Sequence, residues 1–193
     1  MEFVVLGWPD DGPTLRLDHE RFSYAGKFVM SNTGKAVALE DEDGEEDVDG
    51  DGDEDGDLVA AIAFNEDRTD PRACWLRYVT VRDDRRGEGI GACLAAGLRG
   101  YLLDRDYGTV RIAVNNPFAY RALYKAGFCF TGRTTGLAEL VLEAPCSRTD
   151  GTYREGMSVF RSRDLTDAEE RLLSGTRGRV APERIEPPAM FEA

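Results

Sequence analysis

The 193-residue sequence lacks any long apolar run, and no stretch of it approaches the length that spans a membrane. Its first residues carry neither a basic lead nor a cleavage pattern, so we expect a cytoplasmic protein with no membrane partner. The four cysteines, at positions 74, 93, 129 and 146, form no C-x-x-C motif, and we predict small buried residues rather than disulfides or metal ligands. Histidine occurs once, and His19 lies in a polar segment that favours an exposed side chain over a catalytic one.

Lysine is scarce, since only three of the 24 basic residues are lysine. The formal net charge is −13, but thirteen acids and no base fall within residues 40–57, so the remaining 24 acids are balanced by 24 bases. A block of like charges repels itself and buries no apolar area, which predicts a solvated, flexible insertion. The arginine bias with an acid excess resembles proteins of salt-loving, haloarchaeal-type microbes, although a GC-rich genome gives the same bias.

The acidic insertion leaves two further interpretations open. Asp47, Asp49 and Asp51 begin like a calcium-binding EF-hand loop, but the twelfth position is Leu58 where a bidentate glutamate is needed, and no helices flank it. The block could instead bind basic partners such as ribosomal tails. A neutral body with an acidic loop argues against nucleic-acid binding.

The clearest functional signal is a predicted strand, a glycine-rich loop and an apolar helix in direct succession. The last residues of the strand are Val79-Thr80-Val81, and the loop has the sequence Arg85-Arg86-Gly87-Glu88-Gly89-Ile90-Gly91. Glycines let the backbone approach a ligand closely, and the first amides of a helix have no intrahelical acceptor. Together these features predict a site for an anion such as a diphosphate.

Two common phosphate-binding motifs fit this loop poorly. The segment from Gly87 to Ala92 matches the dinucleotide fingerprint G-x-G-x-x-G/A, which also requires an acid about 20 residues further on. The next predicted strand, residues 109–114, leads into Asn115 and Asn116 instead. No P-loop of the form G-x-x-x-x-G-K-[ST] is present. The remaining pattern is R-x-x-G-x-G, from Arg86 to Gly91.

This pattern resembles the pyrophosphate loop of the GNAT superfamily of acyl-CoA-dependent N-acyltransferases. A second segment, Leu123-Tyr124-x-x-Gly127-Phe128, resembles the superfamily's L-Y-x-x-x-G-F signature with one residue fewer. The matched segments cover about residues 58–144 in the right order. The resemblance implies an α/β GNAT fold of mixed α+β character, with a central, mostly antiparallel twisted sheet, a splayed parallel strand pair and flanking helices.

The domain organisation follows from this match. Residues 1–146 are expected to form the acyltransferase domain, with the acidic insertion, residues 40–57, as the loop between two paired strands. Residues 147–193 are expected to form a C-terminal extension. A capping box, Thr166-x-x-Glu169, predicts a short helix near residues 166–173, and the proline-rich end is expected to be loose.

The resemblance also implies an activity, namely N-acetyl transfer from acetyl-CoA, the co-substrate, to a primary amine by direct attack in a ternary complex. The acceptor would be a small-molecule or peptide amine. The oligomeric state, monomer or homodimer, is left open by the sequence. Tyr124 is the candidate general acid because a phenol remains protonated at neutral pH. The residues expected to contact the coenzyme are Val79, Val81, Arg85, Arg86, Gly87, Glu88, Gly89, Ile90, Gly91 and Asn116.

The sequence offers no clear general base. Many members of the superfamily carry a glutamate on the central strand where this chain has Arg77 and Tyr78. Arg77 could hold an anionic acceptor or form a structural ion pair, and the other carboxylate candidates are Glu66, Asp67 and Glu139. The missing glutamate and the shortened motif leave open a non-catalytic module of the same fold that binds or senses acyl-CoA.

Overall fold

The computed structural model of the protein describes residues 1–40 and 58–192, which form one mixed sheet flanked by helices. The strands are β1 (Glu2–Gly7), β2 (Gly34–Leu39), β3 (Leu58–Glu66), β4 (Ala73–Val81), β5 (Thr109–Val114), β6 (Cys129–Thr134), β7 (Leu140–Ala144) and β8 (Phe191–Glu192). The helices are α1 (Ile90–Leu103), α2 (Pro117–Lys125), α3 (Asp150–Phe160) and α4 (Asp167–Ser174). The strand order across the sheet is β6-β7-β5-β4-β3-β2-β1-β8.

The splayed parallel pair predicted from the sequence is present. Strands β1 to β4 are antiparallel neighbours, whereas β4 and β5 are parallel and paired only from Ala73–Thr109 to Leu76–Ile112. Beyond Leu76, β4 continues to Val81 paired with β3 alone, while β5 pairs with β7. The predicted α/β fold is therefore confirmed, and its two central strands separate towards their C-terminal ends.

The four helices share one hydrophobic core on one face of the sheet. The apolar helix predicted after the glycine loop is α1, and its side chains at a spacing of four residues, Ile90, Leu94, Leu98 and Leu102, are buried in this core. The C-terminal extension contributes to this same core through buried side chains on α3 and α4, namely Tyr153, Met157, Phe160 and Leu173. The predicted capping box opens α4, since Thr166 Oγ1 accepts from the Glu169 amide at 3.3 Å. Helix α3, by contrast, was not predicted.

The opposite face of β1 to β3 is covered by residues 13–33. Phe22 and Phe28 from this segment are buried against a second cluster that includes Val4, Val37 and Ala61. These strand residues alternate with residues of the main core, because successive side chains of a strand point to opposite faces. Both faces of this half of the sheet are therefore buried, and the strands are almost wholly apolar.

A buried lysine anchors the covering segment. Lys35 on β2 is fully buried, and its Nζ donates to the carbonyls of Pro13, Met30 and Thr33 at 3.1, 2.9 and 2.8 Å and to Thr33 Oγ1 at 2.6 Å. These four acceptors compensate for the lost hydration of the ammonium group. Lys35 thus ties both ends of residues 13–33 to the sheet.

The end of the chain lies along α1, so the prediction of a loose tail is wrong. The Ile185 amide donates to the Lys125 carbonyl at 3.0 Å, and β8 pairs in parallel with β1. A Cβ on Gly97 of α1 would lie 2.8 Å from Met190 Sδ and 3.2 Å from Pro188 Cγ, so the glycine lets the tail pack closely against the helix. A segment with no regular period carries no local sign of such packing, which is why the composition was misleading.

Cys129 and Cys146 form a disulfide, which corrects the prediction of unpaired cysteines. Cys129 begins β6 and is the register partner of Glu143 on β7, so antiparallel pairing brings it close to Cys146 just beyond the end of β7. The separation of 17 residues matches no known motif, and only the hairpin makes the pairing evident. Cys74 and Cys93 are free, and Cys74 is buried as predicted.

Residues 41–57 lie outside the described residues, so the flexible insertion and the calcium loop stay predictions. None of the described helices is long and apolar enough to cross a membrane. Within the described ranges no group of three or more histidine, cysteine or acidic side chains is placed to hold a metal ion.

Candidate functional site

The candidate site begins where β4 leaves β5. The register of β3 and β4 pairs Ala63 with Tyr78 and Phe64 with Leu76, so Arg77 is the extra residue of a β-bulge. This bulge directly follows the last pair between β4 and β5, Leu76–Ile112. It therefore marks the point from which β4 runs alongside an open gap.

The backbone amides of Val79 and Val81 face this gap. The Arg82 amide donates to the Val59 carbonyl of β3 at 2.9 Å. Because amide directions alternate along a strand, the amides of Val81 and Val79 point away from β3. The position of Arg86 agrees with this, since its Nε lies 3.4 Å from the outward carbonyl of Val81.

The glycine loop continues from the gap to the N-terminus of α1. Gly87 and Gly89 both have φ of +92°, and a Cβ built on either would meet no atom within 4 Å. Gly89 is the N-cap of α1 and no side chain caps the helix, so its first amides are available to an anion. A Cβ on Gly91 would lie 2.9 Å from Val81 Cγ2, so this glycine allows α1 to start directly against the end of β4.

The two arginines of the loop are already paired with carboxylates. Arg85 Nε donates to both carboxylate oxygens of Glu88 at 3.0 Å, and its Nη1 forms an ion pair with Glu40. Hydrogen bonding from Arg85 is the main cause that lowers the pKa of Glu40. Arg86 forms an ion pair with Asp83. A phosphate bound here would therefore compete with carboxylates for both guanidinium groups.

The family was identified by a comparison with protein-family models. The model described as "Acetyltransferase (GNAT) family" matches residues 13–128, which include the gap, the glycine loop and α2. The chain belongs to the GNAT acetyltransferase family. No curated protein matches it.

Several solved structures resemble the chain. Nourseothricin acetyltransferase is 23% identical, with a TM-score of 0.45 over 60% of this chain and 66% of that one. The PaiA N-acetyltransferase of Thermoplasma acidophilum, solved in complex with coenzyme A, is 18% identical, with a TM-score of 0.39 over 46% of this chain and 54% of that one. Tetrahymena GCN5 is 14% identical, with a TM-score of 0.44 over 62% and 72% of the two chains.

Tyr124, the predicted general acid, lies in the core between α2 and the C-terminal extension. Its side chain is fully buried, its hydroxyl is 2.7 Å from Thr152 Oγ1 on α3, and its ring packs edge-on against Tyr153 at 4.9 Å. Burial raises the pKa of this phenol. These contacts are with α3 rather than with the gap, so they give Tyr124 a packing role and do not support the predicted catalytic one.

The shortened GNAT motif explains this position. The superfamily pattern has its tyrosine four residues before the glycine, and the residue four before Gly127 is Leu123. Tyr124 is one residue further along, a rotation of about 100° around the helix axis. Leu123 cannot donate a proton, so the missing residue removes the phenol from the position where the GNAT motif places it.

Asn116, another predicted contact of the coenzyme, caps α2. Its Oδ1 accepts from the Ala119 amide at 2.8 Å, as its sequence position before Pro117 indicates. The cap accounts for the residue without a ligand, and contact between Asn116 and a coenzyme stays a prediction.

The remaining acid–base candidates already have other partners. Glu66 accepts from the Tyr107 hydroxyl at 2.8 Å, Asp67 from Trp75 Nε1 at 2.6 Å, and Glu139 from Thr135 Oγ1 at 3.2 Å. His19 is exposed as predicted, with 87% of its side chain accessible. None of these four side chains is shown to reach the gap.

A groove on the face opposite α1 borders the bulge. Met30 and Thr33 from the covering segment form one wall, and Trp75, Arg77 and Tyr78 of β4 form the other. Lys35 supports the first wall through its bonds to the Met30 and Thr33 carbonyls. A lone lysine within an apolar strand was the only available signal for this support.

Proposed function

We propose that the protein transfers an acetyl group from acetyl-CoA to a primary amine by direct attack in a ternary complex. The main support is the continuous line of backbone amides that runs from Val79 and Val81 in the gap to the glycine loop and the uncapped start of α1. Such a line suits a long ligand with an amide-rich arm and a diphosphate. Family membership supports the same conclusion.

Two groups of residues would have separate roles in this reaction. The amides from Gly87 to Gly91, with Arg85 and Arg86, would bind the diphosphate. The amide of Val79 or Val81 would donate to the carbonyl that undergoes attack, which stabilises the negative charge that develops on its oxygen. Acetyl-CoA, when bound, supplies an acetyl group activated as a thioester.

Direct transfer needs no nucleophile from the protein. The neutral amine of the acceptor forms the new C–N bond while the C–S bond breaks, and the proton that the nitrogen loses balances the thiolate of the departing coenzyme A, which leaves as the free thiol. Burial raises the pKa of both free thiols, that of Cys74 to about 12 and that of Cys93 above its ordinary value. A thiolate is therefore disfavoured at neutral pH, which argues against an acyl-cysteine intermediate.

The experiment measures release of free thiol from acetyl-CoA in the presence of a panel of primary amines. Gly91→Ala places a Cβ against Val81 Cγ2, so it should raise the KM for acetyl-CoA by roughly tenfold, the effect of about 1.4 kcal/mol of steric cost. Gly136→Ala is the matched control, because a Cβ there meets no atom within 4 Å. Saturable coenzyme binding without thiol release would favour the non-catalytic binding module, and absence of coenzyme binding would contradict both functions.

A further inference from the structure

The groove beside the bulge combines an arginine with aromatic and polar side chains on the face of β4 away from α1. Its volume is about 450 Å³, within the range of sites that bind small molecules. The groove directly adjoins the gap, because Arg77 precedes Val79 by two residues, about 7 Å along a strand. A molecule in the groove can therefore reach the position where the acetyl group would lie.

The contacts of Arg77 show which face it occupies. Leu76 and Phe64 belong to the main core, so their neighbours Trp75 and Asn65 point to the opposite face. Arg77 Nε donates to Asn65 Oδ1 at 2.6 Å, and its guanidinium lies 5.2 Å from the centre of the Trp75 ring. The bulge thus turns Arg77 into the groove, where an amide fixes Nε and an indole supports the guanidinium.

The other end of this guanidinium is open. Among the described residues Arg77 forms no ion pair, and Nε is the only nitrogen for which a hydrogen bond is seen. The neighbouring carboxylate of Asp67 is occupied, since it accepts from Trp75 Nε1 at 2.6 Å and from the Thr69 amide and hydroxyl at 2.8 and 2.7 Å. Nη1 and Nη2 therefore present two parallel donors, the geometry that fits a carboxylate bidentately.

The charges that line the groove also favour an anion. Partial burial is the main cause that lowers the pKa of Arg77, while the charge of the nearby Asp67 raises it, and the arginine side chain stays exposed to a ligand. Arg68, on the rim of the same groove, is exposed and makes no hydrogen bond with a described residue. Two arginines and one aspartate, Asp67, thus line the groove and give it a net positive charge in a chain whose net charge is −13.

We propose that the acceptor is a small amine that carries a carboxylate, and that Arg77 binds this carboxylate through Nη1 and Nη2. Trp75, Tyr78 and Met30 provide apolar walls for its side chain. The inference rests on the proposed transferase function and names the substrate class for that same site. Arg77 is then a specificity-determining residue in the place where many family members carry a glutamate.

The test compares three acceptors that differ at a single position: phenylalanine, phenylalaninamide and phenethylamine. Arg77→Gln should raise the KM for phenylalanine by roughly 10- to 100-fold, the loss expected for a charge-assisted bidentate bond. The KM values for the two neutral-ended amines and for acetyl-CoA should stay within about twofold. Comparison of wild type with variant for each acceptor cancels the intrinsic reactivity of its amine.

A binding measurement keeps the test independent of turnover. In calorimetric titrations of the protein saturated with coenzyme A, N-acetylphenylalanine should bind the wild type more tightly than N-acetylphenylalaninamide does. The preference should disappear in Arg77→Gln. Equal binding of acid and amide to the wild type, or an equal loss of both in the variant, would overturn the proposal and leave Arg77 a packing partner of Trp75.

Two further variants separate specific from general effects. Arg77→Lys keeps the charge without the planar fork, so it should recover only part of the preference. Arg68→Gln removes one charge from the rim of the groove and should weaken binding of N-acetylphenylalanine less than Arg77→Gln does. An equal loss of affinity in the two variants would show attraction by charge alone and overturn the bidentate contact. Thiol release with neutral amines but no preference for carboxylates contradicts this inference alone, whereas absence of coenzyme binding contradicts the proposed function.

Discussion

The substitution Tyr124→Phe distinguishes a packing role for this tyrosine from a catalytic one. It removes a single hydroxyl that is fully buried and lies 2.7 Å from Thr152 Oγ1. Thr152 Oγ1 keeps another partner, because it also donates to the Thr149 carbonyl at 3.1 Å. No buried polar atom is therefore orphaned, and the cost is that of one hydrogen bond, about 1 kcal/mol.

The expected result combines a small loss of stability with unchanged chemistry. For a chain of 193 residues, a loss of about 1 kcal/mol lowers the melting temperature by roughly 2 to 4 °C. The turnover number with acetyl-CoA and a good acceptor should stay within about twofold of the wild type. Removal of a true general acid would instead reduce turnover by roughly 10²- to 10⁴-fold.

The assay pairs urea unfolding with steady-state kinetics on the same preparations. Tyr120→Phe is the matched control, since the Tyr120 hydroxyl donates to the carbonyls of Thr152 and Tyr153 at 3.2 and 3.3 Å in the same cluster. The two variants should lose similar stability and keep similar turnover. A hundredfold loss of turnover in Tyr124→Phe alone, with stability retained, would refute the packing role and restore the assignment as general acid.

Two other substitutions test the supports of the site. Lys35→Met leaves three carbonyls without their donor and should cost roughly 3 kcal/mol in urea unfolding. Burial lowers the pKa of Lys35 to about 8, so between that pH and about 10.4 the unfolded chain holds a proton that the folded chain releases. The stability advantage of wild type over variant should therefore rise with pH through this window, and a falling advantage would contradict the assignment. Glu40→Gln frees Arg85 from a competing carboxylate and should lower the KM for acetyl-CoA by about two- to fivefold at low salt. The control, Glu183→Gln at an exposed position, should not change the KM. An unchanged or raised KM in Glu40→Gln would show that the ion pair of Glu40 with Arg85 orders the loop instead.

The sequence predicted the half of the fold whose signals are local. The period of α1, the caps of α2 and α4 and the glycines of the loop each follow from the residues next to them, and all appear in the structure. The splay of β4 and β5 was predicted through the family resemblance. Nine of the ten residues expected to contact the coenzyme lie together at Val79 to Gly91, and the tenth, Asn116, caps α2.

The features that the sequence missed depend on contacts between distant segments. The Cys129–Cys146 bridge needs the pairing of β6 with β7, and the docked tail needs the close approach of Met190 to Gly97. Neither contact produces a periodic pattern of residues in the sequence. The contacts of Tyr124 with α3 also depend on distant segments, because the shortened motif turns its side chain by about 100° around the helix axis and Thr152 and Tyr153 lie about 30 residues further along the chain.

The pairing of β8 with β1 has a consequence for how the chain is made. Residues 191–192 are translated long after β1, yet they pair with Val4 and Val5 on its outer edge. During synthesis, this part of β1 thus exposes unpaired amides and carbonyls, the kind of edge at which strands of different molecules join. A truncation before Met190 would make this temporary exposure permanent.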